Sequence, residues 1–131
     1  MSVQIGQKGR AETVVAEHNT AKALGSGLVE VFATPAMVAL MEEAAVQALD
    51  LVPGESSVGT ALTIKHLAAT PLGLKVWATA ELIEIDRRRL VFSVEAFDEQ
   101  EKIGEGRHER FIIDSSKFLD KVNAKGKEQG I

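Results

Sequence analysis

The clearest periodic pattern lies in the first half of the chain. After Thr34-Pro35, apolar residues recur every three or four positions: Met37, Leu40, Met41, Ala44, Ala45, Ala48 and Leu49. This 3.6-residue period predicts a long helix from Thr34 to about Asp50. Threonine is a good N-cap, and proline fits the first turn of a helix. Because most of the helix circumference is apolar, we expect a sheet to cover its main face and a second surface to contact the rest.

Extended segments flank this helix. One strand is predicted before it, at residues 9–18, and four after it, at residues 57–68, 74–85, 89–98 and 102–113. Short turns connect the last four, so they should be antiparallel neighbours. Ser115 or Ser116 is expected to cap a short terminal helix that carries Phe118, Leu119 and Val122.

One apolar helix and about five antiparallel strands indicate an α+β architecture. A long central helix wrapped by a curled antiparallel sheet is the hot-dog fold, and we predict a single hot-dog domain over residues 1–131. Residues 1–8 and 120–131 are expected to be loosely ordered ends. Pairing with a second copy would cover the sheet edge or the spare apolar side of the helix, which predicts a homodimer.

Composition narrows the class of protein. The length of 131 residues suits one domain, and 15 basic against 19 acidic side chains give a formal net charge of −4. This balance argues against binding nucleic acid through a basic face. The absence of cysteine excludes disulfides, thiolate zinc sites and cysteine nucleophiles. No apolar run reaches the roughly 20 residues of a membrane span, and no secretory signal opens the chain, so we expect a cytoplasmic protein without membrane contact.

Glu42 differs from the adjacent Glu43 in its helical surroundings. Its neighbours one turn away on either side are all apolar: Val38, Ala39, Ala45 and Val46. Glu43 instead lies in line with polar positions of the same helix. A carboxylate among apolar neighbours needs a partner that replaces water. The alternative is that Glu42 lies at the edge of the apolar stripe and its side chain reaches solvent.

His66 and Thr34 are the other candidate catalytic residues. Strand alternation places His66 on the face of Leu62 and Ile64, which should meet the helix. A histidine there is either satisfied by a backbone carbonyl or acts as a general acid–base group, since imidazole titrates near pH 7. Thr34 is expected first of all to be the helix N-cap, although the same helix terminus can also stabilise an oxyanion.

The spacing of these candidates favours a site shared by two subunits. Thr34 and Glu42 are eight residues apart, which is about 12 Å along a helix axis. Their side chains cannot both reach one reacting atom from a single straight helix. A site at a dimer interface would let a second copy supply one of them.

Metal and cofactor sites are not indicated. His18, His66 and His108 lie in different predicted strands and lack the spacing of a metal site. The phosphate-binding fingerprints GxGxxG and GxxxxGK[ST] are both missing. We therefore expect neither a bound metal nor a cofactor.

Three blocks in this order resemble the fluoroacetyl-CoA thioesterase-like family of hot-dog proteins: VFATPAMVALMEEAA, SVGTALTIKHLAATPLG and GEGRHERFIID. The resemblance implies that Thr34, Glu42 and His66 form the catalytic group and that the backbone N–H of Gly59 lies near the thioester carbonyl. It also implies a homodimer with coenzyme A thioesters as substrates. Phe32 and Arg110 are added as candidate substrate-binding residues.

The chain departs from the fluoroacetyl-CoA-specific members of that family in two places. Those members resemble one another in having lid phenylalanines before the helix and a tryptophan after the glutamate. Here residues 19–31 contain no aromatic residue, and Glu43 stands where the tryptophan would be. The expected function is therefore hydrolysis of a short- or medium-chain acyl-CoA. A non-catalytic acyl-CoA-binding module and an acyl-thioester hydratase are the alternatives.

Overall fold

The computed structural model describes residues 3–131, which form one antiparallel sheet around a helix. The elements follow in the order β1 (Lys8–Val14), α1 (Ala21–Leu24), α2 (Thr34–Gln47), β2 (Glu55–His66), β3 (Lys75–Asp86), β4 (Arg89–Asp98), β5 (Lys102–Asp114) and α3 (Ser115–Glu128). The strand order in the sheet is β1-β3-β4-β5-β2, with every neighbouring pair antiparallel. The predicted α+β architecture is confirmed.

Small residues allow α2 to lie directly on the sheet. The inward positions of β3 are small or aliphatic and at most 2% exposed: Val76, Ala78, Ala80 and Leu82. On α2, Ala44 and Ala45 are fully buried. A Cβ on Gly9 of β1 would come within 2.1 Å of the carbonyl oxygen of Ala44, so only glycine permits this approach of strand and helix.

The start of α2 differs from the prediction. The N-cap is Ala33, whose side chain makes no capping hydrogen bond, and Thr34 is already helical. The N-cap assignment of Thr34 is therefore wrong. The helix also ends at Gln47, with Ala48 as its C-cap, rather than at Asp50. Because Thr34 does not cap the helix, its hydroxyl can form a hydrogen bond with another residue.

The terminal helix is longer than predicted and has a different cap. Asp114, not Ser115 or Ser116, accepts a hydrogen bond from the backbone N–H of Lys117 at 3.1 Å. Residues 120–128, expected to belong to a loosely ordered end, continue α3. Residues 1 and 2 of the other expected loose end lie outside the described part of the chain. Three apolar side chains of α3 are exposed: Phe118, Leu119 and Val122.

β2 is an edge strand, since β5 is its one neighbour in the sheet. An irregularity between Gly59 and Ala61 shifts its register against β5. Because of this shift, Gly59 pairs with buried Arg110 and Leu62 pairs with buried His108. Strand alternation gives Leu62 and His66 the same side-chain direction. The register shift therefore puts both Gly59 and His66 on the face of the sheet that carries α2.

Candidate active site

Thr34 and His66 meet at the N-terminus of α2. Thr34 is the first residue of the helix, His66 is the last residue of β2, and the Thr34 Oγ1 and His66 Nδ1 atoms are 2.7 Å apart. The predicted placement of His66 on the inner face is thus correct. A hydroxyl within hydrogen-bond distance of an imidazole nitrogen is the arrangement by which a base activates a nucleophile or orients a water.

The His66 ring is poised to exchange a proton. Burial lowers the pKa of His66, and a backbone hydrogen-bonding interaction with Ala68 opposes part of that shift. The imidazole is therefore neutral at pH 7. Among residues 3–131, its Nε2 atom is buried and has no hydrogen-bond partner. The ring therefore has one buried nitrogen without a hydrogen-bond partner, and His66 itself lines a cavity.

That cavity has a volume of about 340 Å³ and opens beside the Thr34–His66 pair. Its walls include Val31, Phe32 and Leu67. Phe32, a candidate substrate-binding residue, is only 1% exposed and so forms part of the inner wall. The cavity is large enough for a small acyl group, and its walls combine apolar side chains with the polar Ser26, Thr34 and His66.

A buried polar anchor connects the loops that adjoin Thr34 and His66. The Thr70 hydroxyl donates to Asp98 Oδ2 at 2.8 Å, and the Thr70 carbonyl accepts from the backbone N–H of Phe32 at 2.9 Å. The same threonine therefore links the loop after His66 to the segment before Thr34. Burial acts to raise the pKa of Asp98, but hydrogen bonds from Gln100, Thr70 and Glu101 outweigh it, and the pKa is lowered. Asp98 is thus an ionised acceptor in the anchor.

Glu42 belongs to a second cluster. Its carboxylate lies 3.6 Å from the Arg110 guanidinium, and its side chain is 41% exposed. A Cβ on Gly59 would come within 2.7 Å of Glu42 Oε2, so this glycine leaves the space that the carboxylate occupies. The sequence left two alternatives for Glu42, a partner within the protein or access to solvent. The structure shows both, since Glu42 has a charged partner and a partly exposed side chain. Glu42, Gly59 and His108 all line a small cavity of about 220 Å³.

Arg110 faces inward rather than toward a ligand. Its side chain is 7% exposed. Its Nε donates to Ser57 Oγ at 2.8 Å, its Nη2 to the Ser57 carbonyl at 2.9 Å, and its Nη1 contacts His108 Nε2 at 3.1 Å. The substrate-binding role suggested for Arg110 stays a prediction. Its contacts within the protomer place it as the charged partner of Glu42.

The two clusters are separate within one protomer. Thr34 and His66 line one cavity, while Glu42 and Gly59 line another. Gly59 and His66 are seven residues apart on the same extended strand, which corresponds to roughly 20 Å. The separation predicted from helix geometry is therefore present in the single protomer.

Ser57, His108, Thr70 and Asp98 were missed by the sequence reasoning. His108 and Arg110 alternate with exposed or half-exposed residues on β5, a pattern that also describes a strand with one charged face. What distinguishes them is burial of a polar side chain, and that depends on β2 and α2, which are distant in sequence.

Among residues 3–131, no group of three or more His, Cys, Asp or Glu side chains is arranged to hold a metal ion. In the same range, no helix is long and apolar enough to span a membrane.

Comparisons with known proteins identify the family. The family model described as fluoroacetyl-CoA-specific thioesterase matches residues 15–116. The fluoroacetyl-CoA thioesterase of Streptantibioticus cattleyicolor is 44% identical over 131 residues, with 94% of each chain covered. A threonine-to-serine mutant of the fluoroacetyl-CoA thioesterase FlK, in complex with acetyl-CoA, has a TM-score of 0.88 and 43% identity over 94% of this chain and 98% of that one. A Thermus thermophilus member of the thioesterase superfamily has a TM-score of 0.87 and 30% identity over 98% and 96%.

These matches and the wrapped helix define a thioesterase with the hot-dog fold. Within that class, the chain belongs to the fluoroacetyl-CoA-specific thioesterase family. The family implied by the three sequence blocks is confirmed.

Proposed function

We propose that this thioesterase hydrolyses a short- or medium-chain acyl-CoA to the free acid and coenzyme A, with Thr34, His66 and Glu42 as the catalytic residues. The observation that carries the proposal is the 2.7 Å contact between the Thr34 hydroxyl and a neutral, half-buried imidazole beside a cavity of about 340 Å³. Coenzyme A arrives as part of the substrate, so the reaction needs no further cofactor. The proposal includes a cytoplasmic location, because coenzyme A thioesters are intracellular metabolites.

The proposed active enzyme is a homodimer that joins the two clusters. β2 is an edge strand with unpaired backbone groups, which favours pairing with a second β2. A two-fold axis between Leu62 and Thr63 would bring Gly59 of one protomer opposite His66 of the partner subunit. Glu42 lies beside Gly59, so the partner subunit's imidazole would then face this carboxylate. Each dimer would contain two such composite sites.

In the proposed reaction, the thioester carbonyl lies at the N-terminus of α2. Backbone N–H groups of the first helical turn, together with that of Gly59 from the partner subunit, stabilise the oxyanion as it develops. His66 removes a proton from the attacking water or from the Thr34 hydroxyl. As the carbon–sulfur bond breaks, the protonated imidazole returns that proton to the departing thiolate. Glu42 orients the water or the imidazole and stabilises the positive charge on the ring.

The acyl-binding site of this protein is expected to lack the selectivity for a fluorinated acyl group that the names of its relatives describe. In those family members, aromatic side chains before the helix are thought to close over the acyl group. Here the corresponding segment places Leu28 in solvent, with 93% of its surface exposed. An aliphatic and exposed side chain at this point favours a more permissive site for short and medium chains.

A panel of acyl-CoA substrates with detection of the released thiol tests this function. Wild-type protein should release thiol from short- and medium-chain substrates, and His66→Ala and Glu42→Gln should each lower turnover by roughly 10²- to 10⁴-fold. Thermal unfolding of both variants should match that of the wild type. The proposal is wrong if both variants hydrolyse the panel at the wild-type rate, or if the wild type releases no thiol.

A second experiment determines whether the Thr34 hydroxyl is the nucleophile or positions a water molecule. Thr34→Val keeps the shape and removes the hydrogen bond to His66, so turnover should fall about 100-fold or more, while Thr34→Ser should retain most of it. Mass spectrometry after rapid acid quenching then distinguishes the two routes. An acyl adduct on Thr34 identifies the hydroxyl as the nucleophile, and an unmodified chain during turnover identifies water.

A further inference from the structure

His108 is a buried titratable residue that the proposed mechanism leaves without a role. It is 2% exposed, and both of its ring nitrogens are engaged. Nδ1 lies 2.9 Å from the Ala61 carbonyl oxygen, and Nε2 lies 3.1 Å from Nη1 of Arg110. A carbonyl oxygen only accepts and a guanidinium only donates. The two partners therefore fix one state of the ring, which is neutral with its proton on Nδ1.

This neutral ring helps to position the Arg110 guanidinium. Ser57 accepts from two other nitrogens of the guanidinium, through its hydroxyl and its carbonyl. Nη1 is the nitrogen left to face Glu42, at 3.6 Å from Oε2, and it is also the nitrogen that His108 holds. The lone pair on His108 Nε2 thereby sets where the positive charge stands relative to the Glu42 carboxylate.

We propose that His108 is a positioning residue, which acts as a neutral acceptor that holds Arg110 against Glu42 and keeps this carboxylate aimed into the composite site. The inference rests on the proposed function through the role of Glu42. Protonation of His108 would replace the acceptor with a second donor that faces a guanidinium. Arg110 would then be displaced, and Glu42 would lose its partner.

Burial and the charged groups around the His108 ring determine the pH range in which the ring becomes protonated. Glu42 approaches from α2, Glu109 and Arg110 belong to β5, and β4 contributes the uncharged ring of Phe92 at 6.3 Å. Burial is the main cause that lowers the pKa of His108, and the charge of Arg110 adds to it. The hydrogen bond to Ala61 and the two glutamates oppose it. The neutral form should therefore persist below the ordinary range of histidine.

Two substitutions separate positioning from packing. His108→Gln retains an acceptor near the position of Nε2 and cannot be protonated, whereas His108→Leu fills the space without an acceptor. His108→Leu should lower kcat by roughly 10- to 100-fold with KM nearly unchanged, and His108→Gln should recover most of that loss. The kcat of His108→Gln should also lose part of the decline that the wild type shows on acidification.

A double-mutant comparison distinguishes failure of this inference from failure of the proposed function. In a Glu42→Gln background, His108→Leu should cause little further loss of kcat, because its effect passes through Glu42. The inference is overturned if Glu42→Gln abolishes turnover while His108→Leu is fully active, and the proposed function survives that result. Wild-type turnover in Glu42→Gln instead overturns the role of Glu42 itself.

The state of the ring can be observed without any variant or substrate. Long-range ¹H–¹⁵N correlation spectra of the histidine-labelled wild-type protein report which nitrogen carries the proton. His108 should show the Nδ1–H form at pH 7. A protonated ring or the Nε2–H form at pH 7 would contradict the inference, whatever the kinetics of the enzyme.

Discussion

Gly59 shows how a single missing side chain defines the site. A Cβ at this position would meet the end of the Glu42 side chain at 2.7 Å and His108 Cε1 at 3.1 Å. The first neighbour is the flexible tip of a long side chain, which can move at little cost to the fold. What would be lost is the direction in which the carboxylate points. The glycine is therefore required by the chemistry of the site more than by the stability of the strand.

Gly59→Ala should accordingly impair activity and leave the fold almost intact. We expect kcat/KM to fall about tenfold or more, because the displaced carboxylate no longer meets its target, while the midpoint of thermal unfolding stays near that of the wild type. Gly9→Ala provides the contrast, since its Cβ would strike the backbone of α2 at 2.1 Å. Circular dichroism melts and thiol-release assays on both proteins measure the two effects. Equal losses of stability in the two variants would refute this distinction.

Local residue patterns predict some side chains well and others poorly. The apolar neighbours of Glu42 on its own helix mark it as unusual, and strand alternation places His66 correctly. Arg110, which pairs with Glu42, is 68 positions away, and no local pattern encodes that contact. Thr34 was predicted as a helix cap from its local sequence, whereas its actual partner, His66, lies 32 residues further along the chain. The sequence therefore indicates candidate residues, whereas their partners are determined by the tertiary fold.

At the scale of elements, periodicity predicts the helices and strands that bury a whole face, and it misses local irregularities and exact ends. The apolar period of α2 and the alternation of β3 are strong because a whole face of each element is buried. The register shift at Gly59 and Ala61 of β2 has no such signal, since it adds one residue to an exposed edge strand. The cap of α3 was placed one or two residues too late because serine and aspartate are comparable N-caps.

The end of β4 stabilises the loops that adjoin Thr34 and His66. Asp98 accepts hydrogen bonds from the Thr70 hydroxyl and from the backbone N–H groups of Gln100 and Glu101. Its pKa is lowered in the folded protein, so the ionised form is the one that favours folding. This contribution is complete above the unfolded-state value of about 4 and is lost as the pH falls through the folded-state pKa.

Asp98→Asn should lower the free energy of unfolding at pH 7 by roughly 1–3 kcal/mol, because two backbone donors and a hydroxyl lose a charged acceptor. Below about pH 4 the wild type should lose this advantage, and the two stabilities should converge. Urea unfolding at a series of pH values measures the difference. Glu101→Gln, an exposed acid of the same turn, is the control and should follow the wild type. A constant difference from pH 7 to pH 2 would rule out ionisation of Asp98 as the cause.

At the scale of the whole molecule, α2 and α3 each expose apolar side chains. Val46 lies one turn beyond Glu42 and is 46% exposed, while Val122 on α3 is 48% exposed. The proposed dimer gives these two similar residues different surroundings. Val46 borders the side of α2 that would face the partner subunit, together with the edge strand β2.

Val46→Asp should therefore weaken the dimer, and Val122→Asp should not. A buried, unpaired carboxylate in the interface opposes association, so we expect the Val46 variant to sediment as a monomer at concentrations where the wild type is dimeric. Its turnover should fall in parallel, because a monomer lacks the composite site. Analytical ultracentrifugation and thiol release are compared on the same samples. A monomeric Val46→Asp with full activity would show that one chain contains the complete site.

Mixing two inactive variants tests the composite site most directly. In the proposed dimer, each site takes Thr34 and His66 from one protomer and Glu42 from the other. A heterodimer of His66→Ala and Glu42→Gln therefore has one site with both substitutions and one site with neither. Random exchange of equal amounts makes half of the dimers mixed, so about one quarter of the wild-type activity should return.

The outcome depends only on how the residues are divided between subunits. If one protomer supplied both His66 and Glu42 to each site, every site in the mixture would carry one of the two substitutions, and activity would stay at the level of the separate variants. Mixing each variant with itself under the same exchange conditions controls for refolding. Restoration of activity in the mixture, and in neither control, would require the imidazole and the carboxylate of each site to come from different chains.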